Sequence, residues 1–189
     1  SGTFTVVATA ISAANNAVSY MVVGGGGYGG TYSFGSSGGA GAGGFREGTT
    51  APVVPYTASP LVAPAGITVS AQGYPITVGA GGTDSPSQQG SPSIFDSITS
   101  AGGGRGANQA HSTGAPYAGG PGGSGGGGNG ECGPVGGNGN TPPVSPSQGN
   151  NGGSGRSVGG SRAGGGGGGA GAVGQDGGNP QIGGHGGAG

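Results

Sequence analysis

The sequence predicts a mainly β and irregular fold: a small antiparallel β-sheet or sandwich combined with a bundle of polyglycine-II, polyproline-II-like rods, and essentially no α-helix. Three observations predict it. Fifty-nine of the 189 residues are Gly, against an ordinary usage of about 7 per cent. Apolar runs rich in β-branched and aromatic residues lead straight into glycine, as in Tyr20-Met21-Val22-Val23-Gly24-Gly25-Gly26-Gly27. Finally, apolar residues nowhere recur at the 3.6-residue spacing of an amphipathic helix.

Strand-like runs occupy the first hundred residues, at 3–9, 18–23, 67–71, 76–78 and 94–99, each bounded by Gly, Pro or Ser. Between them, residues 45–66 carry Pro52, Pro55, Pro60 and Pro64. Proline fixes φ and biases the preceding residue away from helix, so this segment is expected to be an ordered, extended excursion. The composition changes at Ala101: 20 glycines precede it and 39 lie in the last 89 residues. The expected organisation is therefore a β-rich portion over residues 1–100 with the first glycine tracts, and a glycine-rod bundle over 101–189, together one continuous folded unit. In the second half, tracts alternate with polar interludes at 107–117, 141–150, 156–162 and 175–182, which read as rods joined by loops.

A strict Gly-X-Y register with recurrent Pro is missing, which excludes collagen. A run such as 164–169, all Gly, needs another geometry. A helix with three residues per turn and no internal hydrogen bonds turns its N–H and C=O groups outward in three directions. All-glycine rods approach closely enough to bond through those groups, with Cα–H···O contacts as second-order support. The core is then backbone, and bulky residues inside a tract belong on its outer face.

Composition excludes several function classes. Only 29 per cent of residues are hydrophobic, 5 per cent are charged and Trp is absent, so a side-chain core is small. Lys is absent, and Arg46, Arg105, Arg156 and Arg162 are too few for the basic surface that nucleic acid requires. No apolar run approaches the roughly 20 residues of a membrane span, and the start lacks a basic region followed by an apolar one, so membrane insertion is not expected. Cys132 is the single cysteine and its neighbours supply no metal ligand. Residues 25–30 formally satisfy G-x-G-x-x-G after a strand, with Glu47 beyond. A dinucleotide site also needs a helix N-terminus to hold the pyrophosphate, which glycine-rich residues 31–44 do not provide. His111 and His185 have no supporting spacing to Ser, Asp84, Asp96 or Asp176. No catalytic, metal or cofactor residues are expected, and the chain is read as a non-enzyme.

The order of the motifs adds a resemblance. Ser1-Gly2-Thr3-Phe4-Thr5-Val6, the run from Tyr20 to Gly27, residues 38–45, Ile76-Thr77-Val78-Gly79-Ala80-Gly81-Gly82, and residues 93–104 with Ile94 and Phe95 together resemble a glycine-rich domain of phage tail and bacterial surface proteins. The resemblance covers nearly the whole chain. It implies a kinship in style with tail-fibre adhesins, whose polyglycine-II bundles present variable loops to bacterial surface receptors. One departure is that the family commonly closes with a strand rich in Ile, Val and Tyr, whereas this sequence ends Gly183-Gly184-His185-Gly186-Gly187-Ala188-Gly189. The expectation is an open sheet edge, completed by a missing strand or by another chain.

Recognition falls to aromatic and Arg side chains, the types that dominate binding surfaces. Tyr28, Tyr32, Phe34, Phe45, Tyr56, Tyr74 and Tyr117 either cap the bundle and fill the small core or, where they sit in loops, contact a receptor. The receptor-binding candidates are Tyr117 with His111, Tyr32 with Phe34, and Arg156 with Arg162, which flank one interlude and suit lipopolysaccharide phosphates. Arg46 and Glu47 read as a surface pair. The expected partners are a bacterial surface glycan or outer-membrane protein and other fibre or filament subunits, with self-association and a virion or extracellular location. The alternative is a self-assembling subunit of an extracellular filament or coat. An ice-binding role is weaker, because residues 101–189 contain few Thr.

Overall fold

The computed structural model of the chain describes residues 1–31, 36–50, 57–84, 88–108, 118–131, 134–179 and 181–189. The architecture is mainly β and irregular: several small sheets, long glycine tracts and, among the described residues, no α-helix beyond a single 3-10 turn at Ala13–Asn15.

Eleven short strands are described: β1 (Gly2–Thr5), β2 (Ala17–Val18), β3 (Tyr20–Val23), β4 (Phe45–Gly48), β5 (Val62–Ala63), β6 (Ile67–Thr68), β7 (Gly73–Thr77), β8 (Ser93–Phe95), β9 (Ile98–Ser100), β10 (Arg156–Val158) and β11 (Ser161–Ala163). They form a four-stranded sheet in the order β1-β7-β8-β9, a three-stranded sheet β3-β4-β5, and the pairs β2-β6 and β10-β11. All pairings are antiparallel except β4 with β5.

Several boundaries differ from the sequence expectation for identifiable reasons. The run 18–23 breaks at Ser19, whose hydroxyl accepts from the Thr50 amide at 3.1 Å. That break sends β2 to β6 and β3 to β4. The run 94–99 folds back on itself as the β8–β9 hairpin, with Phe95 opposite Ile98 and Asp96 at φ 52°. Asp is among the few residues that tolerate this left-handed conformation. Part of the proline-rich excursion is strand: β4 pairs with β3, Tyr20 opposite Gly48 and Val23 opposite Phe45. Pro52 and Pro55 lie outside the described residues. Glu47 is not a surface group as expected; it is 2 % exposed, and Oε2 accepts from the Ser59 amide at 3.0 Å.

The glycine tracts bond in a different rhythm. Gly24, Gly27 and Gly30 donate to the carbonyls of Gly44, Gly41 and Gly38, while Gly25 and Tyr28 donate to Ser91 and Gln88. Gly38, Gly41 and Gly44 in turn donate to Ala107, Gly104 and Ala101. A tract thus returns to the same neighbour every third residue, whereas side chains in a β-strand repeat every second. Residues 122–130 are buried throughout. They share backbone hydrogen bonds with six segments: 36–42, 101–107, 118–120, 134–141, 150–153 and 165–168. A Cβ on Gly127 would fall on the Gly165 carbonyl, and one on Gly125 on the Gly137 carbonyl.

Side chains contribute little to this interior. Val22, Val69, Tyr74, Ala107 and Ala163 are the buried apolar residues among those described, while Ser36, Glu47, Ser93, Ser100, Ser124, Asn129 and Gln148 are buried polar ones. The sheets add one aromatic cluster, in which Phe4, Tyr74 and Phe95 have ring centroids 6.0–6.4 Å apart. The Tyr74 hydroxyl accepts from the Ser70 amide at 2.7 Å. Hydrogen bonding to Ser70 holds this phenol below its ordinary pKa.

Candidate recognition end

Tract directions, read from the hydrogen bonds, separate the molecule into a sheet end and a loop end. Tract 24–30 leaves β3, and tract 38–44 returns antiparallel to it and enters β4. Tract 101–107 leaves β9 and runs parallel to 24–30, since Gly103 and Gly106 donate to Gly25 and Tyr28. Tract 122–130 runs parallel to 101–107, through Gly104 to Ser124 and Ala107 to Gly127. The 150–155 tract is parallel to 122–130, and 163–169 is antiparallel to it. Residues 30–31, 36–38, 107–108, 130, 155 and 163–164 therefore share one end, opposite the β1-β7-β8-β9 and β3-β4-β5 sheets.

Of the six candidate residues, Arg156 and Arg162 are described, and both lie at that end. Tyr32, Phe34, His111 and Tyr117 lie outside the described residues, but the chain enters both of their segments side by side. The Thr31 amide donates to Asn108 Oδ1 at 2.8 Å, and Gly38 donates to the Ala107 carbonyl. Arg156 and Arg162 stand on the β10–β11 hairpin, which rises between residues 155 and 164. Its turn is Gly159 (φ 58°) and Gly160 (φ 84°), the double left-handed geometry that favours Gly-Gly in a two-residue hairpin. This hairpin was read from the sequence as a polar loop.

The two arginines do not converge. Arg156 pairs with Ala163 while Arg162 pairs with Ser157, so the two side chains leave opposite faces of the hairpin. Arg162 Nη1 donates to Glu131 Oε1 at 2.6 Å. Both groups are partly exposed, and such a pair is worth under about 1 kcal/mol. Arg156 is exposed and makes no ion pair among the described residues. Beneath this end, three buried side-chain atoms have no hydrogen-bond partner among the described residues: Ser36 Oγ, Ser37 Oγ and Asn129 Nδ2.

On the flank, a cleft of about 550 Å³ is lined by Gln88, Gln89, Gly90, Ser91, Pro92, Arg105 and Pro121. A second, of about 370 Å³, shares Gln89, Gly90, Pro92 and Pro121 with it and extends to Thr99, Thr141 and Pro142. Arg105 was not singled out by the sequence reading as a binding residue. The signal was its position: within 101–107 it is the one large side chain, and only an outward direction accommodates it.

The amides a dinucleotide would need are already used: Gly25, Gly27, Tyr28 and Gly30 donate to Ser91, Gly41, Gln88 and Gly38. Among the described residues no three of His, Cys, Asp and Glu gather, and no helix is long and apolar enough to cross a membrane.

No curated protein and no solved structure matches the chain. The glycine-rich domain family model matches residues 1–189. The chain belongs to this glycine-rich domain family.

Proposed function

We propose that the chain is a recognition module of a phage tail fibre or tail tip, in which polyglycine-II rods form a rigid base that presents receptor-binding loops to a bacterial surface. The observation that carries this reading is the shared end. The chain enters the segments bearing Tyr32, Phe34, His111 and Tyr117, and the hairpin bearing Arg156, beside one another and away from the sheets. The three-residue recurrence of backbone hydrogen bonds supports polyglycine-II geometry for the rods. A scaffold bonded through its backbone leaves loop sequence free to vary, and a rigid base lowers the ordering cost of binding. The resemblance to phage tail and surface proteins supports the location, and a surface glycan or outer-membrane protein is the partner class. The test replaces residues 109–117 with a Gly-Ser segment of equal length and measures binding to bacterial envelopes. Lost binding with unchanged thermal unfolding supports the reading; full binding by the replaced chain removes this loop from it.

A second reading is an extracellular filament subunit, favoured by the edge of the four-stranded sheet. Among the described residues strand β1 pairs only with β7, and all four of its residues are exposed. Such an edge accepts a strand from another chain. Concentration-dependent polymers in sedimentation favour this reading, and a monomer at high concentration removes it.

A further inference from the structure

We infer that the flank groove at Arg105 is a second binding site, for a sugar that carries an anionic group. The inference is independent of the loop end and of the identity of any receptor there.

Three features of the groove point to this ligand. First, Arg105 lines its wall. Among the described residues its guanidinium makes one long hydrogen bond, Nη1 to the Ala118 carbonyl at 3.4 Å, and no ion pair. Burial depresses the Arg105 pKa below its ordinary value, yet a guanidinium remains a cation at any physiological pH. A partly desolvated cation without a countercharge is poised for a carboxylate or phosphate, which it takes through paired N–H donors.

Second, the remaining lining suits a polyol. Gln88, Gln89 and Ser91 offer both donors and acceptors, and Pro92 and Pro121 offer rigid apolar faces for C–H surfaces. A bare inorganic anion needs none of these. Third, the size fits: about 550 Å³ lies within the usual range for small-molecule sites, roughly 300–1,000 Å³. Gln89 Nε2 donates to the Pro121 carbonyl at 2.5 Å, which ties the two walls where the first cleft meets the second. The second cleft, with Thr99, Thr141 and Pro142, is placed to take a neighbouring sugar unit.

The groove is also preorganised. Gly90 donates to Gly103, Gly120 to the Arg105 carbonyl and Ser91 to Ala80, so each wall belongs to the hydrogen-bonded bundle. Binding therefore requires ordering of little beyond the Arg105 side chain.

The test titrates the full chain, ¹⁵N-labelled, with glucuronate, glucose 6-phosphate, glucose and inorganic phosphate, following the amides of Gln89, Gly90 and Arg105 by NMR. The expected result is saturable shifts at these amides with glucuronate, glucose 6-phosphate or both, the pair separating carboxylate from phosphate as the anion. Affinity for glucose and for inorganic phosphate should each be weaker by about tenfold or more, a difference of about 1.4 kcal/mol. In Arg105→Gln the sugar affinity should fall by about tenfold or more while Arg105→Lys retains part of it, both variants unfolding at the parent temperature. Gln88→Ala, which leaves the tract itself untouched, provides an independent loss should Arg105→Gln unfold. Equal binding of inorganic phosphate would mean an adventitious anion only and overturn the inference. Silence of these amides with both acidic sugars, or undiminished binding by Arg105→Gln, overturns it too.

Discussion

Gln148 Oε1 accepts the Ala101 amide at 2.8 Å, joining the end of β9 to a segment 47 residues away. The same side chain donates through Nε2 to the Pro142 carbonyl at 2.8 Å, and its own carbonyl accepts from Phe45 at 2.8 Å. Gln148 is 1 % exposed. It is the polar joint where the sheets hand over to the glycine tracts, and its bonds replace those a regular ladder would have supplied.

Gln148→Ala removes a buried side chain together with its hydrogen bonds to the half-buried Ala101 residue's amide and the exposed Pro142 residue's carbonyl. Each of these hydrogen bonds contributes about 0.5–1.5 kcal/mol, so the variant should lose about 1–3 kcal/mol of stability. At about 2–4 °C per kcal/mol for a chain of this size, calorimetry should show the midpoint falling by roughly 2–12 °C. A shift below about 2 °C would show that water enters and satisfies the joint.

Glycine is required by position, and the requirement is uneven. A Cβ on Gly127 meets the Gly165 carbonyl and one on Gly166 meets the His185 carbonyl, whereas one on Gly29 meets nothing within 4 Å. Gly127→Ala and Gly166→Val should each cost more than about 3 kcal/mol, at or beyond the usual overpacking penalty. Gly29→Ala should be neutral or stabilising by about 0.4–1 kcal/mol, because it narrows the unfolded ensemble. Parallel denaturant titrations decide: three equal midpoints would mean that the tracts do not pack as described.

Ser124 lies in the most enclosed tract, and its hydroxyl has no partner among the described residues. Ser124→Ala removes a buried orphan while keeping its Cβ, so stability should stay level or rise by about 1 kcal/mol. A clear loss of stability would reveal a hydrogen bond at this hydroxyl in solution.

At the loop end, the opposite faces of Arg156 and Arg162 make their contributions separable. Binding losses from Arg156→Ala and Arg162→Ala on bacterial envelopes should add in the double variant to within about 0.5 kcal/mol. Arg162→Ala should move the unfolding midpoint by less than about 4 °C, as expected of a partly exposed ion pair. Strong non-additivity would mean that both arginines meet a single anionic group after all.

Much of the β portion was legible in the sequence because strand signals there are local. Tyr20 to Val23 and Ile67-Thr68 show β-branched and aromatic residues next to breakers, and each forms a strand. Their partners were not legible. Ser19 splits one apolar run between two sheets through a contact with Thr50, 31 residues away, and Asp96 turns another run back on itself. The β10–β11 hairpin was missed because Arg156-Ser157-Val158 carries a weak strand signal, and the Gly159-Gly160 pair was masked by glycines on every side. Gln148 was read as part of a polar interlude, since nothing local distinguishes a buried glutamine from a solvated one. The candidate residues were nominated one by one from side-chain type. That their segments start from one end follows from tract direction, which appears only once the hydrogen-bond partners are known.

Amide hydrogen exchange tests most directly the claim that backbone hydrogen bonds among glycine tracts form the core. The amides of Gly125, Gly127, Gly165 and Gly168 donate within the most enclosed part of the bundle. They should be among the slowest in the chain and exchange only through global unfolding. The amide of Gly29, with no backbone acceptor among the described residues, should exchange far faster. Rapid exchange at Gly125 and Gly127, at rates like that of Gly29, would contradict the account and make the tracts solvated linkers.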